Sequence, residues 1–153
     1  MLKNILFAFV RSLPLRKVYA HCDIPCGMYT IEPAETAVKT VVRMVELIQQ
    51  KALPDWDNEE AVADYHNAVS RYVATKEFHA QKCKEELLIL WTDYFKPEHL
   101  KMFPDLHERF WQAAKLCSKN KQDVSMDKAQ ELQKAVEEIG EIFHKVQAQS
   151  KKS

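Results

Sequence analysis

The 153-residue sequence contains only two glycines and six prolines, and its 22 basic and 22 acidic residues leave no net charge. So few glycines, together with 46% hydrophobic residues and many Ala, Leu, Glu, Lys and Gln, favour an all-helical (all-α) protein. The balanced charge gives no support for nucleic-acid binding, which would require a basic face. The length corresponds to one domain that buries a core without the help of disulfides.

Long hydrophobic runs are also missing, and the sequence predicts no membrane span. The apolar run ILFAFV, between Lys3 and Arg11, is far shorter than the roughly 20 residues that a transmembrane helix needs. Residues 1–20 contain four basic residues and no acidic residue, and they end in Val18-Tyr19-Ala20. This composition resembles a signal or processing peptide, so we interpret residues 1–20 as a removable leader and residues 21–153 as the functional domain.

Cysteine is sparse too, and the four cysteines do not have the dense, regular spacing of a disulfide scaffold. Cys83 and Cys117 fall in helical patterns among apolar neighbours, which predicts that both are small buried hydrophobic residues. Cys22 and Cys26 lie directly after the leader, in the stretch HCDIPCGMY.

Four segments have the periodicity of amphipathic helices, and short joins between them predict an antiparallel four-helix bundle behind an irregular amino-terminal segment. Capping residues, prolines and the polar loop SKNKQDVS mark their ends. The segments run from Pro33 to Pro54, from Asp57 or Asn58 to Tyr94, from Pro104 to the polar loop, and from a start between Ser125 and Asp127.

Each predicted helix carries an apolar stripe at spacings of three and four residues, which we expect to face the core. In sequence order, the stripes are Ala34, Ala37, Val38, Val41, Val45 and Ile48; Val62, Tyr65, Val69, Tyr72, Lys76, His79, Cys83, Leu87, Leu90 and Trp91; Leu106, Phe110, Ala113, Ala114 and Cys117; and Ala129, Leu132, Val136, Ile139, Phe143 and Val146.

The stretch from His21 to Cys26 holds one imidazole and two thiols, which leave several chemistries open. In the uncut chain they could contribute to a structural zinc site, which usually needs four ligands, or Cys22 and Cys26 could form a disulfide. Cleavage after Ala20 would instead free the α-amine of His21 beside the amide nitrogen of Cys22. Amine, amidate and two thiolates suit Ni(II) or Cu(II) in a square plane, and such electron-donating ligands stabilise a higher oxidation state.

The stretch HCDIPCGMY resembles the nickel-hook motif His-Cys-Asp-x-Pro-Cys-Gly-x-Tyr of the nickel superoxide dismutase family. The blocks LWTDYFKPEHL, from Leu90 to Leu100, and FPDLHERFW, from Phe103 to Trp111, are also similar to the family. The likeness covers nearly all of residues 21–149. It implies a small four-helix subunit that assembles as a homohexamer after a processing peptidase has removed the propeptide.

The resemblance implies an antioxidant oxidoreductase, a superoxide dismutase that disproportionates superoxide to oxygen and hydrogen peroxide while its nickel ion alternates between Ni(II) and Ni(III). It assigns the metal to three residues. His21 would supply its α-amine and, in the oxidised state, its imidazole. Cys22 would supply its amide nitrogen and thiolate, and Cys26 would supply the second thiolate.

Further residues receive roles from the same resemblance. Tyr29 and Tyr94 match the tyrosines that order water or an anion beside the metal, and they are the candidate catalytic residues. Asp23 and Pro25 would shape the hook. The block LWTDYFKPEHL also contributes two matching residues, Asp93 and Lys96. The Lys96 ammonium would favour the approach of an anionic substrate.

The sequence departs from the better-known family form after Tyr29, so the acidic partner of the axial histidine is either Glu32 or Glu35. His79 stands where that form has an arginine that supports the hook. Two other interpretations are a non-catalytic metal-binding or sensing bundle and a secreted interaction protein with a Cys22–Cys26 disulfide. Family precedent favours a cytoplasmic protein, whereas the Val18-Tyr19-Ala20 ending would also suit export.

Overall fold

The computed structural model describes residues 28–150, and all regular structure in that range is helical. The predicted leader, residues 1–20, lies outside the described residues. So do His21, Cys22, Asp23, Pro25 and Cys26, which carry the predicted hook. No helix among the described residues is both long and apolar enough to cross a membrane.

Four long helices form the bundle, and one short helix lies in a connection. The helices are α1 (Glu32–Gln50), α2 (Glu59–Ile89), α3 (His99–Met102), α4 (Leu106–Gln122) and α5 (Met126–Ser150), and a π-helical segment (Leu90–Tyr94) continues α2. Helix α1 packs against α2 and α5, and α4 also packs against α2 and α5, so that the four close into a ring. The short connections make successive long helices antiparallel, as predicted.

Local sequence explains where the first two long helices begin. Pro33 occupies the first turn of α1, where its missing N–H removes no helical hydrogen bond. Asn58 caps α2, and its side-chain oxygen accepts a hydrogen bond of 3.1 Å from the backbone N–H of Ala61. Of the two predicted caps, Asp57 and Asn58, it is therefore Asn58 that caps α2.

The predicted core is confirmed for α1, α4 and α5, whose stripes are buried except for the half-buried Ile48. Cys83 and Cys117 are both wholly buried, as predicted. In α2, however, burial begins only at Lys76, and the four preceding stripe residues are half-buried: Val62, Tyr65, Val69 and Tyr72. The reason is that Lys76 meets the end of α4, so the turns of α2 that precede it extend beyond that helix.

The polar stretch SKNKQDVS was wrongly predicted to be a loop from its first residue, because α4 continues through Gln122. Buried Asn120 donates hydrogen bonds to the carbonyls of Leu116 (3.0 Å) and Lys128 (2.8 Å). Buried Lys76 donates to the carbonyls of Asn120, Lys121 and Asp123 at the end of the helix. Carbonyls at a helix end have no partner within the helix, and the ammonium group supplies one.

Candidate functional site

Tyr29 and Tyr94, which the sequence analysis paired, are in contact. Tyr29 precedes α1 and Tyr94 closes the π-helical segment, and their ring centroids lie 5.7 Å apart at an interplanar angle of 57°. Phe143 of α5 packs against Tyr94 at 4.6 Å. Both tyrosines are half-buried, and burial raises the pKa of Tyr94, so its hydroxyl is protonated at neutral pH.

The π-helical segment determines where Tyr94 points. It ends with a wide turn in which the N–H of Phe95 donates to the carbonyl of Leu90 at 3.1 Å. Leu90 is buried in the core, while Tyr94, at the other end of the segment, contacts Tyr29. Such π-helical insertions are rare and occur mostly at functional sites. Nothing in the residues LWTDY marked this turn, and the sequence predicted ordinary helix.

Asp93 and Lys96, also predicted site residues, are both exposed on either side of Tyr94. The Asp93 carboxylate accepts a hydrogen bond of 2.7 Å from the Thr92 hydroxyl. The backbone N–H of Lys96 donates to Nδ1 of His99 at 3.0 Å, and this bond holds the start of the short helix α3, which was not predicted. The His99 ring stacks 6.3 Å from Tyr94, a neighbour that the sequence analysis missed because only the π-helical turn brings them together.

His79 faces a cavity of about 430 Å³ between the start of α1 and α2. Its Nδ1 is buried and has no hydrogen-bond partner among the described residues. Burial, and secondarily the charge of Lys82, lowers the pKa of His79. Glu32 lines the same cavity, whereas Glu35 lies on the far side of the turn, 4.0 Å from the Lys39 ammonium. Of the two acidic candidates, Glu32 is therefore the one that shares a surface with His79.

The thiols and imidazoles within residues 28–150 do not form a group of three or more potential metal ligands. Cys83 and Cys117 are hydrogen-bonded to each other, and this bond together with burial raises the pKa of Cys83 far above its usual range. Both thiols are buried in the core, away from the surface of the bundle. The donor set of His21, Cys22 and Cys26 has the nitrogen and sulfur atoms that nickel accepts. The described residues begin at Met28, two residues after Cys26.

The fold and these residues define a class: a small helical-bundle protein with a tyrosine pair, one member of which follows a stretch of histidine and cysteine residues along the chain. The family model for nickel-containing superoxide dismutase matches residues 16–147. The chain belongs to the nickel-containing superoxide dismutase family.

Relatives and solved structures agree with this assignment. The nickel superoxide dismutase of Streptomyces seoulensis is 35% identical over 130 residues, which cover 85% of this chain and 90% of the relative. That of Streptomyces coelicolor is 34% identical over the same share of each chain. A crystal structure of nickel-containing superoxide dismutase in the oxidised ligation state is 28% identical, with a TM-score of 0.71, and it covers 84% of this chain and 99% of its own.

Family membership confirms the predicted all-helical fold, the nickel cofactor and the superoxide dismutase activity. It also decides between the two leading interpretations, in favour of the enzyme and against a non-catalytic metal-binding bundle.

Proposed function

We propose that the active form begins at His21 and that His21, Cys22 and Cys26 hold the nickel ion. Cleavage after Ala20 gives His21 a free α-amine, which is a nitrogen ligand that the uncut chain lacks. Bound nickel supplies a one-electron redox couple between Ni(II) and Ni(III). Over one cycle, two superoxide anions and two protons become one molecule of oxygen and one of hydrogen peroxide.

The contact between Tyr29 and Tyr94 is the observation that carries this proposal. Two residues, Gly27 and Met28, separate Cys26 from Tyr29, and the three residue steps between them span at most about 11 Å in an extended chain. This upper bound supports the assignment of Cys26 as a ligand near the tyrosine pair, which contacts between Tyr29, Tyr94 and Phe143 hold in place.

We assign the Tyr29 and Tyr94 hydroxyls the task of ordering water or the anionic substrate. A protonated phenol donates a hydrogen bond to an anion, and the raised pKa of Tyr94 keeps that proton in place. Lys96, exposed two residues beyond Tyr94, attracts superoxide by its charge. Asp93 stays with its Thr92 partner, and Asp23 and Pro25 shape the metal-ligating turn.

We place Glu32 as the acidic partner of the His21 imidazole, with His79 beside it. Both line the cavity at the start of α1, and Glu32 is four residues from Met28, where the described residues begin. The buried, unpartnered Nδ1 of His79 offers this segment a hydrogen-bond acceptor in its neutral form.

We propose that the subunits assemble as a homohexamer. Leu53 and Trp56, in the α1–α2 connection, are 72% and 59% exposed. Trp56 packs edge-on to Tyr65 at 6.1 Å, which joins it to the half-buried stripe of α2. Exposed apolar surface of this kind marks a protein–protein contact, and a second copy of the subunit is the occupant that we assign. We assign the processing peptidase and the mature enzyme to the cytoplasm.

The test is metal content measured together with dismutase activity on the processed protein. The intact mass should correspond to a chain that starts at His21, with about one nickel per subunit if each donor set binds one ion. Cys26→Ser should lose both nickel and activity. Cys117→Ala, which removes a buried thiol far from the amino terminus along the chain, is the matched control and should keep both.

Other results would contradict the proposal. Full activity in a chain that retains residues 1–20, or in Cys26→Ser, would place the metal on other ligands. Zinc in place of nickel, or a Cys22–Cys26 disulfide in the active protein, would also refute it. A hexamer by light scattering that dissociates on Trp56→Glu would support the assembly, and a monomeric wild-type enzyme would refute it.

A further inference from the structure

A continuous series of aromatic rings leads from Tyr94 to the surface. The Tyr94 ring contacts Phe95 at 5.1 Å, Phe95 contacts Phe110 at 5.4 Å, and Phe110 contacts Trp91 at 5.9 Å. The rings of Phe110 and Trp91 are parallel to within 2°. Phe110 is 1% exposed, so the middle of the series lies in the core. The proposed function assigns no role in dismutation to Phe95, Phe110 or Trp91.

The outer end of the series carries a proton acceptor. Nε1 of Trp91 donates a hydrogen bond of 2.7 Å to Nδ1 of His107. Because an indole N–H can only donate, Nδ1 of this imidazole carries no proton and is free to accept one. His107 is exposed, so its ring is accessible to solvent. Loss of an electron makes an indole N–H strongly acidic, so the neighbouring base favours the oxidation of Trp91.

We propose that the Trp91–His107 pair reduces Tyr94 whenever Tyr94 becomes oxidised, and so carries oxidising equivalents away from the tyrosine pair. This inference rests on the proposed function, which places the redox centre beside Tyr29 and Tyr94. Hydrogen peroxide, the product of the reaction, yields hydroxide and a hydroxyl radical when it takes up one electron, which bound Ni(II) would supply by becoming Ni(III). The hydroxyl radical takes the hydrogen atom of the Tyr94 hydroxyl, which gives water and a tyrosyl radical.

The next step restores Tyr94. One electron passes from Trp91 through the rings of Phe110 and Phe95 to the tyrosyl radical, and Tyr94 takes up a proton from solvent. The Nε1 proton of Trp91 moves to Nδ1 of His107, which leaves a neutral indolyl radical. Overall, a tyrosyl radical and an intact indole become an intact phenol and an indolyl radical.

Superoxide, the substrate of the enzyme, is a one-electron reductant that returns Trp91 to its starting state. It gives one electron to the indolyl radical and leaves as oxygen, while Nε1 recovers its proton from His107. A cavity of about 410 Å³ beside Trp91 is lined by Phe95, Lys96 and Leu100 among others. The Lys96 ammonium favours entry of the superoxide anion at this point.

The test exposes the processed, nickel-loaded protein to excess hydrogen peroxide and follows radicals by freeze-quench electron paramagnetic resonance. We expect a neutral tryptophan radical in the wild type and in the control Trp111→Phe, whose exposed indole lies outside the ring series. In Trp91→Phe a tyrosyl radical should replace it. Fluorescence from dityrosine, formed by coupling of Tyr29 with Tyr94, should then increase several-fold over the wild type.

His107→Gln tests the proton acceptor without touching the core, because the amide oxygen accepts the indole hydrogen bond but is not a base. The tryptophan signal should fall and dityrosine should rise in this variant. Nickel content and starting dismutase activity should be unchanged in all three variants, which separates this test from that of the proposed function. Equal dityrosine yields in wild type and Trp91→Phe would overturn the inference. A fully active wild type without a Trp91 radical would also overturn it.

Discussion

The Tyr29 and Tyr94 rings lie 5.7 Å apart, although one precedes the first helix and the other closes the π-helical segment after α2. Contact of Tyr94 with Phe143, at 4.6 Å, ties the pair to the last helix as well. Three separate parts of the bundle thus fix the two phenol rings against one another and against α5. Because packing holds the rings in place, a substitution of tyrosine by phenylalanine removes a hydroxyl and keeps the ring contacts.

Tyr94→Phe should reduce the dismutase rate constant about fivefold, because it removes one hydrogen bond worth about 1 kcal/mol to the bound anion or water. Pulse-radiolysis kinetics measure the rate constant, and azide competition measures the affinity for an anion. The ring contacts remain in this variant, so the thermal midpoint should change little. Tyr72→Phe, on a half-buried tyrosine earlier in α2, is the control and should match the wild type. A Tyr94→Phe enzyme with unchanged rate and azide affinity would contradict the role of this hydroxyl.

Much of the bundle could be predicted from sequence because its signals are local. The spacing of Ala129, Leu132 and Val136 places them on one face, and that face is buried. Asn58 precedes its helix in the way that a cap must, and its side chain makes the predicted bond. The hook motif is local as well, since the histidine and the two cysteines that it assigns to the metal lie within six consecutive residues.

The features that escaped prediction depend on contacts between distant residues. Lys76 was placed on an inward stripe, but its burial depends on carbonyls at the end of α4. The π-helical turn at Tyr94 changes which neighbours that residue meets, and no pattern in its own five residues encodes the change. His79 was identified as a departure from the family, yet its shared cavity with Glu32 follows only from the packing of α1 on α2.

Cys83 and Cys117 should resist thiol reagents in the folded protein. Both side chains are wholly buried, and their mutual hydrogen bond and burial raise the pKa of Cys83, so almost no thiolate forms at neutral pH. Mass spectrometry after maleimide treatment should find neither residue modified in the native state and both modified after denaturation in urea. Rapid labelling of either residue under native conditions would show that the core contact between α2 and α4 opens readily.

Lys76→Met should lower the free energy of unfolding by about 3 kcal/mol, because carbonyls at the end of α4 would lose a buried donor. Methionine keeps most of the side-chain volume, so the loss reports the hydrogen bonds rather than a cavity. Urea denaturation followed by circular dichroism gives the midpoint. Lys82→Met, at an exposed position of the same helix, should change stability by less than about 0.5 kcal/mol. Equal effects of the two substitutions would mean that the Lys76 hydrogen bonds contribute no net stability.

Acid should weaken the connection between α4 and α5 through Asp123. Its carboxylate is hydrogen-bonded and ion-paired to Lys128, which lowers its pKa below the ordinary value of 3.8. A carboxyl group whose pKa is lower in the folded state stabilises that state above the ordinary value, and the contribution disappears as the pH falls through the folded-state pKa. The thermal midpoint of the wild type should therefore exceed that of Asp123→Asn at about pH 7, and the difference should shrink as the pH falls below the ordinary value of 3.8.

The partner of this carboxylate offers the control for the acid effect. Lys128→Gln should lower the midpoint at neutral pH as Asp123→Asn does, because either change removes the same ion pair. The double variant should be no less stable than the less stable single variant, since the pair can be lost only once. Calorimetric scans of the four proteins across the acid range measure these differences. Additive losses in the double variant, or a difference between wild type and Asp123→Asn that stays as large in acid as at neutral pH, would show that Asp123 acts through groups other than Lys128.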